Sequence, residues 1–380
     1  MALRSRLPSV GTTIFTVMSK LASDVGAINL SQGFPDFACD PALIDAVVKH
    51  MRAGLNQYAP MPGVASLRQA IAAQYRRAHG ASYDPDIEVT VTSGGTEAIF
   101  DAVASIVHPG DEVIVLEPCY DLYVPAIELN GGVPVIVPLR LPAYRIDWDA
   151  VAAAVTPRTR LLMINSPHNP TGSIVTADDI TALTAIIRRS DISIVSDEVY
   201  EHIIFDGASH ESMSRHPELA ARSFVVGSFG KTFHVTGWKV GYVVAPAALT
   251  AELRKVHQYV TFSTMTPVQH GIADLLNEQK SLEELPSFFQ RKRDLFLELM
   301  ESSRFTPLPC RGSYFQLMDY SSISDLPDAE FAIWLTREHG VASIPTSPML
   351  YKTRAPRVVR FCFAKKDETL ERAAERLRKV

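Results

Sequence analysis

Residues 226–242 read VGSFGKTFHVTGWKVGY, and this segment points to the fold. One apolar run, residues 224–227, leads into a turn of small residues that carries Lys231, and a second, residues 240–244, follows closely. Short runs rich in valine, without strict polar and apolar alternation, are typical of strands buried on both faces of a mostly parallel sheet. We therefore predict two strands here, with a lysine-bearing turn between them.

Five earlier segments have the same character, and helical patterns lie between them. The pattern at 96–107 places apolar residues on one side, and the pattern at 176–189 begins with an N-cap candidate, Thr176, followed by two aspartates. Alternating strands and helices predict an α/β fold with a mostly parallel central sheet flanked by helices. The further predicted strands are residues 88–92, 112–116, 133–137, 161–165 and 192–196.

The pattern changes near residue 280. A helical stretch at 288–301 is followed by short strand and helix candidates, which predict a smaller α+β domain. The chain of 380 residues is also longer than one hydrophobic core usually supports. We expect an irregular N-terminal arm with part of the small domain at 1–45, a large domain at 46–280 and a small domain at 281–380. The later candidates are strands at 312–317 and 357–363 and helices at 328–339 and 367–378.

Composition excludes several classes of protein. A net charge of -5 gives no electrostatic reason to bind nucleic acid or an anionic membrane. No stretch of about 20 apolar residues predicts a membrane span, and the first 20 residues show no signal peptide. The four cysteines form no CxxC pair and the histidines lack metal-ligand spacing, so we expect neither disulfides nor a metal site. These features favour a cytoplasmic enzyme.

Three more segments follow predicted strands and carry polar residues. SDEVY at 196–200 places Asp197 at a strand's carboxyl end, where ligands bind in α/β sheets. TSGGTE at 92–97 offers free backbone N–H groups at a helix start, and NSPHNPTG at 165–172 forms a turn. Each segment alone also fits a helix cap or a plain turn. The GKT at 230–232 resembles a P-loop ending, but that motif needs glycine where Val225 stands.

Together these segments resemble the class I/II aminotransferases, which are fold-type I enzymes that use pyridoxal 5'-phosphate (PLP). The resemblance covers essentially the whole chain, and the order SGGTEA, NPTG, SDEVY, SFGKT and GWKVGY is specific. Flanking segments such as GTTIFT, LSQGFPDF and RFCFAKKDETL are most similar to bacterial methionine aminotransferases. The group of kynurenine aminotransferase and glutamine transaminase K is the next most similar.

The resemblance implies a catalytic role for Lys231 as the Schiff-base lysine, and it implies that Asp197 pairs with the pyridinium nitrogen. Only an amine can form a Schiff base, and burial near other cations tunes its pKa. Asn169 and Tyr200 are expected at the ring's phenolic oxygen, and Tyr120 on the ring face. The residues expected at the phosphate are Gly95, Thr96, Ser228, Lys239 and, from the neighbouring subunit of a homodimer, Tyr58.

The resemblance also implies a substrate site. Arg360 would hold the α-carboxylate as a bidentate fork, with Gly33 and Asn169 beside it. Arg357 is a second arginine nearby, but it does not match the position of the carboxylate-binding arginine. Phe15 and the partner subunit's Phe262 match positions that line the side-chain pocket. We find no second arginine placed for a side-chain carboxylate, which favours methionine or an aromatic residue, histidine or glutamine. Cis peptide bonds are implied before Pro170 and Pro118.

The implied reaction is transfer of an amino group from an L-amino acid to a 2-oxo acid by a ping-pong mechanism. The same residues would serve a cysteine-conjugate β-lyase, which motifs alone do not separate. A regulator that only binds PLP is the second alternative. Such regulators carry a basic helix-turn-helix domain first, and here the family motifs begin near residue 10.

Overall fold

The computed structural model describes residues 4–278 and 280–380. The strands are β1 (Ile28–Asn29), β2 (Val89–Thr92), β3 (Glu112–Glu117), β4 (Val133–Pro138), β5 (Thr159–Asn165), β6 (Ser193–Asp197), β7 (Ser223–Ser228), β8 (Gly241–Val244), β9 (Thr306–Pro307), β10 (Phe315–Asp319), β11 (Val341–Ala342), β12 (Ile344–Pro345) and β13 (Val358–Cys362). The helices are α1 (Ile14–Val25), α2 (Pro41–Arg52), α3 (Ala65–His79), α4 (Gly94–Ile106), α5 (Tyr123–Leu129), α6 (Trp148–Ala154), α7 (Ala177–Ile187), α8 (Pro217–Ala220), α9 (Phe229–Thr232), α10 (Ala247–Val260), α11 (Thr266–Glu278), α12 (Lys280–Met300), α13 (Asp328–Glu338) and α14 (Asp367–Leu377).

The central sheet has seven strands in the order β2-β8-β7-β6-β5-β3-β4. All pairs from β7 to β4 are parallel, and only β8 runs antiparallel, between β7 and β2. Strands β2, β3 and β8 are buried along their whole length, as expected of apolar runs covered by helices on both faces. All seven predicted strands are confirmed within two residues at each end.

The two helices predicted between these strands are also confirmed. Helix α4 follows β2 after a single residue. Helix α7 starts with a capping box, because the Thr176 hydroxyl accepts the N–H of Asp179 while the Asp179 carboxylate accepts the N–H of Thr176. This reciprocal pair fixes the end of the 165–176 loop, which carries Asn169 to the site.

The C-terminal part forms an antiparallel sheet in the order β12-β13-β10-β9, with α12, α13 and α14 packed around it. This confirms an α/β fold with a smaller α+β part. The strand expected at 312–317 begins later, because Ser313 has a left-handed backbone (φ 61°) that ends any extended run there. Helix α12 begins eight residues before the predicted stretch. The exact domain limits stay a prediction.

We predicted an irregular N-terminal arm at residues 1–45, and the irregular conformation is wrong over much of that range. Residues 14–25 form α1, whose first turn is capped by Thr13 and which ends at Gly26 with φ 65°. The apolar side of α1 buries Met18 and Ala22 and packs on α13. The cap residue and the spacing of the apolar residues were both readable in the sequence, but the prolines and glycines nearby hid them.

Candidate active site

A cavity of about 480 Å³ opens at the carboxyl ends of β5, β6 and β7. Side chains that follow parallel strands meet at this edge, which is where α/β sheets bind ligands. Most of the residues predicted for the site line this one cavity. They are Phe15, Gly33, Gly95, Thr96, Tyr120, Asn169, Asp197, Tyr200, Ser228, Lys231, Lys239 and Arg360.

Lys231 lies in the short helix α9, directly after β7. Its amine donates hydrogen bonds to the Tyr314 hydroxyl at 2.9 Å and to the Gly33 carbonyl at 3.4 Å. Burial, with help from the nearby Arg360 charge, lowers the pKa of Lys231 to about 8. An amine with this pKa is partly neutral near pH 7 to 8 and can act as a nucleophile or a base.

Asp197 is the last residue of β6 and is buried. The Tyr123 hydroxyl donates a hydrogen bond to its carboxylate at 2.6 Å. Burial raises the pKa of Asp197 to about 6, although the bond from Tyr123 and the charge of Lys231 act in the opposite direction. A buried carboxylate that is costly to ionise alone would be stabilised by a cationic ring nitrogen.

The start of α4 forms a cradle for an anion. Gly94 has φ 78°, and a Cβ there would lie 3.3 Å from the Lys239 amine. The Lys239 amine itself lies 3.4 Å from the Thr96 hydroxyl, and the Lys239 backbone is left-handed with φ 54°. Gly241 brings β8 close, since a Cβ on it would meet the backbone of Gly94 at 2.7 Å. Free N–H groups at a helix start beside an ammonium suit a phosphate.

Arg360 lies on β13 and is 1% exposed. Its Nη1 donates to Asn169 Oδ1 at 2.6 Å and its Nη2 to the Ser31 carbonyl at 3.0 Å, while its Nε is buried without a hydrogen-bond partner. The guanidinium stacks 3.8 Å above the Phe315 ring. Burial lowers the pKa of Arg360 to about 10, so it stays charged. A buried cation with an idle donor is suited to bind a carboxylate.

Asn169 is held by the loop after β5. Its backbone N–H donates to Asn165 Oδ1 at 2.8 Å, and the Asn165 amide donates to the Asp197 carbonyl at 2.8 Å. Asn165 therefore ties the ends of β5 and β6 together. The cis peptide bonds expected before Pro170 and Pro118 are both present.

Aromatic rings form the remaining walls. Tyr200 is buried, and its ring packs edge-on against Tyr314 at 5.1 Å between centroids. The Phe15 ring lies 5.2 Å from the Arg360 guanidinium. The Gly33 carbonyl already accepts the Tyr314 hydroxyl at 2.6 Å, and a Cβ on Gly33 would meet the Phe315 ring at 2.6 Å. Glycine at this position keeps the cavity open.

Tyr58 and Phe262 do not line the cavity of their own chain. Tyr58 is 86% exposed and Phe262 40% exposed, and their rings meet edge to face at 5.7 Å. The structure therefore brings these two residues together on the surface. Their expected roles concern a neighbouring subunit.

Sequence reasoning missed Tyr314 and Tyr123, which hold Lys231 and Asp197. Tyr123 lies three residues after Tyr120, which the sequence analysis did name, so local spacing offered a signal. Tyr314 lies 83 residues from Lys231 and outside every motif. No local pattern identifies it, because only the packing of the small sheet against the large one brings it near.

The site combines an accessible amine, a buried carboxylate, an anion cradle and a buried guanidinium in one cavity, a donor set that fits PLP. Residues 25–377 match the family model for aminotransferase class I and II. The chain belongs to this family. Its members depend on PLP, so the enzyme is a PLP-dependent aminotransferase.

Individual relatives of the aminotransferase agree with this assignment. Methionine aminotransferase of Escherichia coli is 50% identical over 99% of this chain and 98% of its own. A probable N-succinyldiaminopimelate aminotransferase of Mycobacterium tuberculosis is 39% identical, covering 98% and 97% of the two chains. The crystal structure of an E. coli protein described as having a methionine aminotransferase function superposes with a TM-score of 0.98 at 49% identity, over 100% of each chain.

These similarities favour neither of the two alternatives, the β-lyase and the PLP-binding regulator. Among the described residues of the aminotransferase, no helix is both long and apolar enough to cross a bilayer.

Proposed function

We propose that the enzyme transfers the amino group of L-methionine to a 2-oxo acid, with aromatic amino acids, histidine and glutamine as further donors. The observation that carries this proposal is the joint placement of Lys231, Asp197 and Arg360 around one cavity. The choice of methionine is supported by the E. coli relative at 50% identity. Arg360 is the only arginine among the described residues lining the cavity, so a side-chain carboxylate would find no second guanidinium there.

The residues present fit the cofactor. When bound, PLP supplies an aldehyde that condenses with amines and a ring that accepts electrons. The N–H groups of Gly95 and Thr96, together with Ser228 and Lys239, would hold its phosphate. Asp197 would face the ring nitrogen and favour the protonated form of the ring, because this arrangement supplies the counter-charge that a buried carboxylate needs.

Other residues would orient the ring. Tyr120 would lie against its face, and Asn169 and Tyr200 would donate to its phenolic oxygen. Asn169 suits this role because Asn165 fixes its backbone, while its Oδ1 accepts a bond from Arg360 and leaves the amide N–H groups available. Orientation of this kind keeps the reacting atoms in line for proton transfer.

Arg360 would bind the α-carboxylate of the substrate, with Gly33 and Asn169 beside it. The Lys231 amine would then move the proton at the substrate α-carbon, because its lowered pKa makes the neutral base available near neutral pH. Phe15 at the rim would contact the apolar side chain and exclude water. Both half-reactions would use the same residues in the same cavity. The first 2-oxo acid would therefore leave before the second one binds, which is a ping-pong order.

The working unit would be a homodimer with shared active sites. Tyr58 would reach the partner's phosphate site and Phe262 the partner's side-chain pocket, which is consistent with two aromatic rings held on the surface outside their own cavity. A cytoplasmic location is supported by four cysteines that are all free thiols.

The experiment is to mix holoenzyme with L-methionine in the absence of any 2-oxo acid. We expect loss of the yellow colour and release of one 2-oxo acid per site. L-aspartate at the same concentration should react far more slowly. The variant Lys231→Ala, tested in parallel, should show no turnover. A yellow enzyme that responds to aspartate and not to methionine would contradict the donor, and a protein that takes up no PLP would contradict the whole proposal.

A further inference from the structure

A buried cluster of charged side chains lies behind the anion cradle. Glu97 and Asp101 project from α4, and His257 projects from α10. The His257 Nδ1 lies 2.7 Å from Glu97 Oε1 and 3.5 Å from Asp101 Oδ2. His257 and Asp101 are 0% exposed. Three ionisable groups without access to water are costly, so their retention calls for a specific role.

Both ring nitrogens of His257 are engaged. Nε2 lies 3.0 Å from the Met61 carbonyl oxygen, which can only accept, so Nε2 donates. Nδ1 faces a carboxylate and donates as well, which makes the ring an imidazolium. Burial alone would lower the pKa of His257, but the hydrogen bonds and charges of Asp101 and Glu97 outweigh it and raise this pKa to about 9.

This geometry argues against a metal site, although ligand atoms of the three residues lie within 4.8 Å of one another. A metal needs a ring nitrogen with a free lone pair. In His257 one nitrogen is committed to the Met61 carbonyl and the other to the Glu97 carboxylate. The cluster is therefore a connector between elements.

The elements it connects lead to the two exposed aromatic residues. Met61 lies three residues after Tyr58 in the same loop. The His257 carbonyl accepts the N–H of Thr261 at 3.2 Å and of Phe262 at 2.9 Å, where Phe262 takes a left-handed backbone with φ 70°. The His257 ring thus holds the Tyr58 loop through Met61 and ties α10 to α4 through Glu97, while the backbone of the same residue places Phe262 at the end of α10 beside Tyr58.

On its other side the connector reaches the cradle. Glu97 lies in the first turn of α4, next to Thr96 at the cavity, and its second carboxylate oxygen accepts the N–H of Ser93. His257 therefore fixes the exposed aromatic pair relative to the phosphate-binding end of a helix.

We propose that His257 is a positioning residue for the active site of the other subunit, because it sets where Tyr58 and Phe262 enter that site. This inference rests on the shared sites of the proposed homodimer. Loss of His257 should raise the KM for L-methionine and weaken cofactor retention in the partner's site. The cavity of the chain that carries the change should be affected much less.

Hybrid dimers test this directly. Each chain carries a different affinity tag, and one chain carries Lys231→Ala, so only the other chain can turn over. The reference hybrid pairs Lys231→Ala with an otherwise wild-type chain. In the same-chain arrangement, His257→Gln is added to the Lys231→Ala chain. In the separated arrangement, it is added to the chain that keeps Lys231.

We expect the same-chain arrangement to lose on the order of tenfold in kcat/KM for L-methionine, mainly through KM. The separated arrangement should lose much less than the same-chain arrangement, because there the change reaches only the cradle of its own chain through Glu97. Loss in the separated arrangement alone, equal loss in both, or no loss in either would overturn the proposal. If His257→Gln does not fold, His257→Asn replaces it, since its amide can occupy the Nδ1 position.

His79→Gln is the matched control. His79 is also a buried histidine paired with a glutamate, with Nε2 3.1 Å from Glu201 Oε2, but it has no hydrogen bond to either aromatic segment. Any loss of activity from His79→Gln should appear when this change lies in the chain that keeps Lys231. That pattern is the reverse of the one expected for His257→Gln. Sedimentation of the wild-type enzyme tests the proposed homodimer separately from the role of His257. A monomer would contradict the shared site of the proposed function, whereas a dimer with the wrong hybrid pattern would contradict only the role of His257.

Discussion

At the scale of single residues, burial sets the chemistry of the site. Three buried side chains show this: burial lowers the pKa of Lys231 and of Arg360 and raises the pKa of Asp197. In each case burial favours the neutral form of the group. The lysine becomes a usable base, the aspartate becomes dependent on a cationic partner, and the arginine stays charged with an idle donor. Ligands with complementary charge would relieve these costs, which favours their binding.

Arg360→Lys should lower kcat/KM for L-methionine by about 10- to 100-fold. Lysine keeps the positive charge but loses the planar fork, and a hydrogen bond between charged groups contributes about 1.5 to 3 kcal/mol. Steady-state kinetics at saturating 2-oxo acid measures the change. Arg357→Lys, at the exposed arginine three residues earlier that pairs with Asp325, is the control and should change little. Similar losses in both variants would contradict the assignment.

Asp197 should make the cofactor-free protein less stable as the pH rises. Its folded pKa of about 6 lies above the ordinary aspartate value, so the folded state holds a proton that the unfolded chain releases near pH 4. The contribution to stability is therefore present below about pH 4 and is lost as the pH rises through 6, on the order of 3 kcal/mol. Asp197→Asn should flatten this part of the stability profile of the apoenzyme.

Urea unfolding of the apoenzyme at several pH values between 4 and 8 provides the measurement. The difference between wild type and Asp197→Asn isolates this one group from the other titrations. Asp149→Asn, at an exposed carboxylate on α6, should leave the profile parallel to that of the wild type. Parallel profiles for Asp197→Asn as well would show that its pKa is not raised.

At the scale of elements, close packing between strands positions the turn that carries Lys231. Gly227 of β7 faces Tyr242 of β8, and the Tyr242 ring occupies the space that a side chain at 227 would need. The Tyr242 hydroxyl is fixed by Glu201 at 2.8 Å, so the ring has little freedom to move. This contact therefore fixes the distance between β7, which leads into Lys231, and the neighbouring strand β8.

Gly227→Ala should destabilise the protein by about 1 to 3 kcal/mol or more, because the added methyl group overpacks a rigid contact. The expected result is a clear fall in the thermal unfolding midpoint of the holoenzyme. Gly237→Ala is the control, since a Cβ there meets nothing within 4 Å and its backbone is not left-handed. Equal midpoints for the two variants would mean that Tyr242 moves aside.

Elements were predictable where their signal is local. The seven central strands and the capped helix α7 follow from apolar runs and from Thr176 with Asp179. Helix α1 was missed although Thr13 caps it. The prolines and glycines around it favoured an irregular segment, and its amphipathic pattern is short. In the site, motif residues came from the family resemblance, whereas Tyr314 depends on long-range packing that no short segment encodes.

At the scale of the whole molecule, the cavity lies between parts of the chain that are far apart in sequence. Phe15, Lys231 and Arg360 come from the N-terminal helix, the central sheet and the small sheet. Any change in how the small sheet sits on the large one therefore changes the distance between the substrate-binding arginine and the base. A second chain would add Tyr58 and Phe262 to the same site.

Tyr58→Phe should weaken PLP binding by about 10- to 100-fold, since it removes one hydrogen bond to a charged phosphate. The stability of the apoenzyme should change little, because the substitution keeps the ring and removes only a hydroxyl, on a side chain that is 86% exposed in its own chain. Equilibrium dialysis of PLP measures the first effect and thermal unfolding the second. Tyr351→Phe, which is also partly exposed, is the control. Unchanged PLP affinity would remove Tyr58 from the phosphate site.

The position of β2 has a consequence for synthesis on the ribosome. Within the part of the chain that the structure describes, this edge strand pairs with β8 alone, and 148 residues separate Thr92 from Gly241. While those residues are being translated, the nascent chain holds a strand that the native fold buries completely but whose edge is still open, which is the kind of segment that aggregates. β2 must therefore wait for β8 before it can pair as in the native sheet, and chaperones that shield nascent chains would act during that interval.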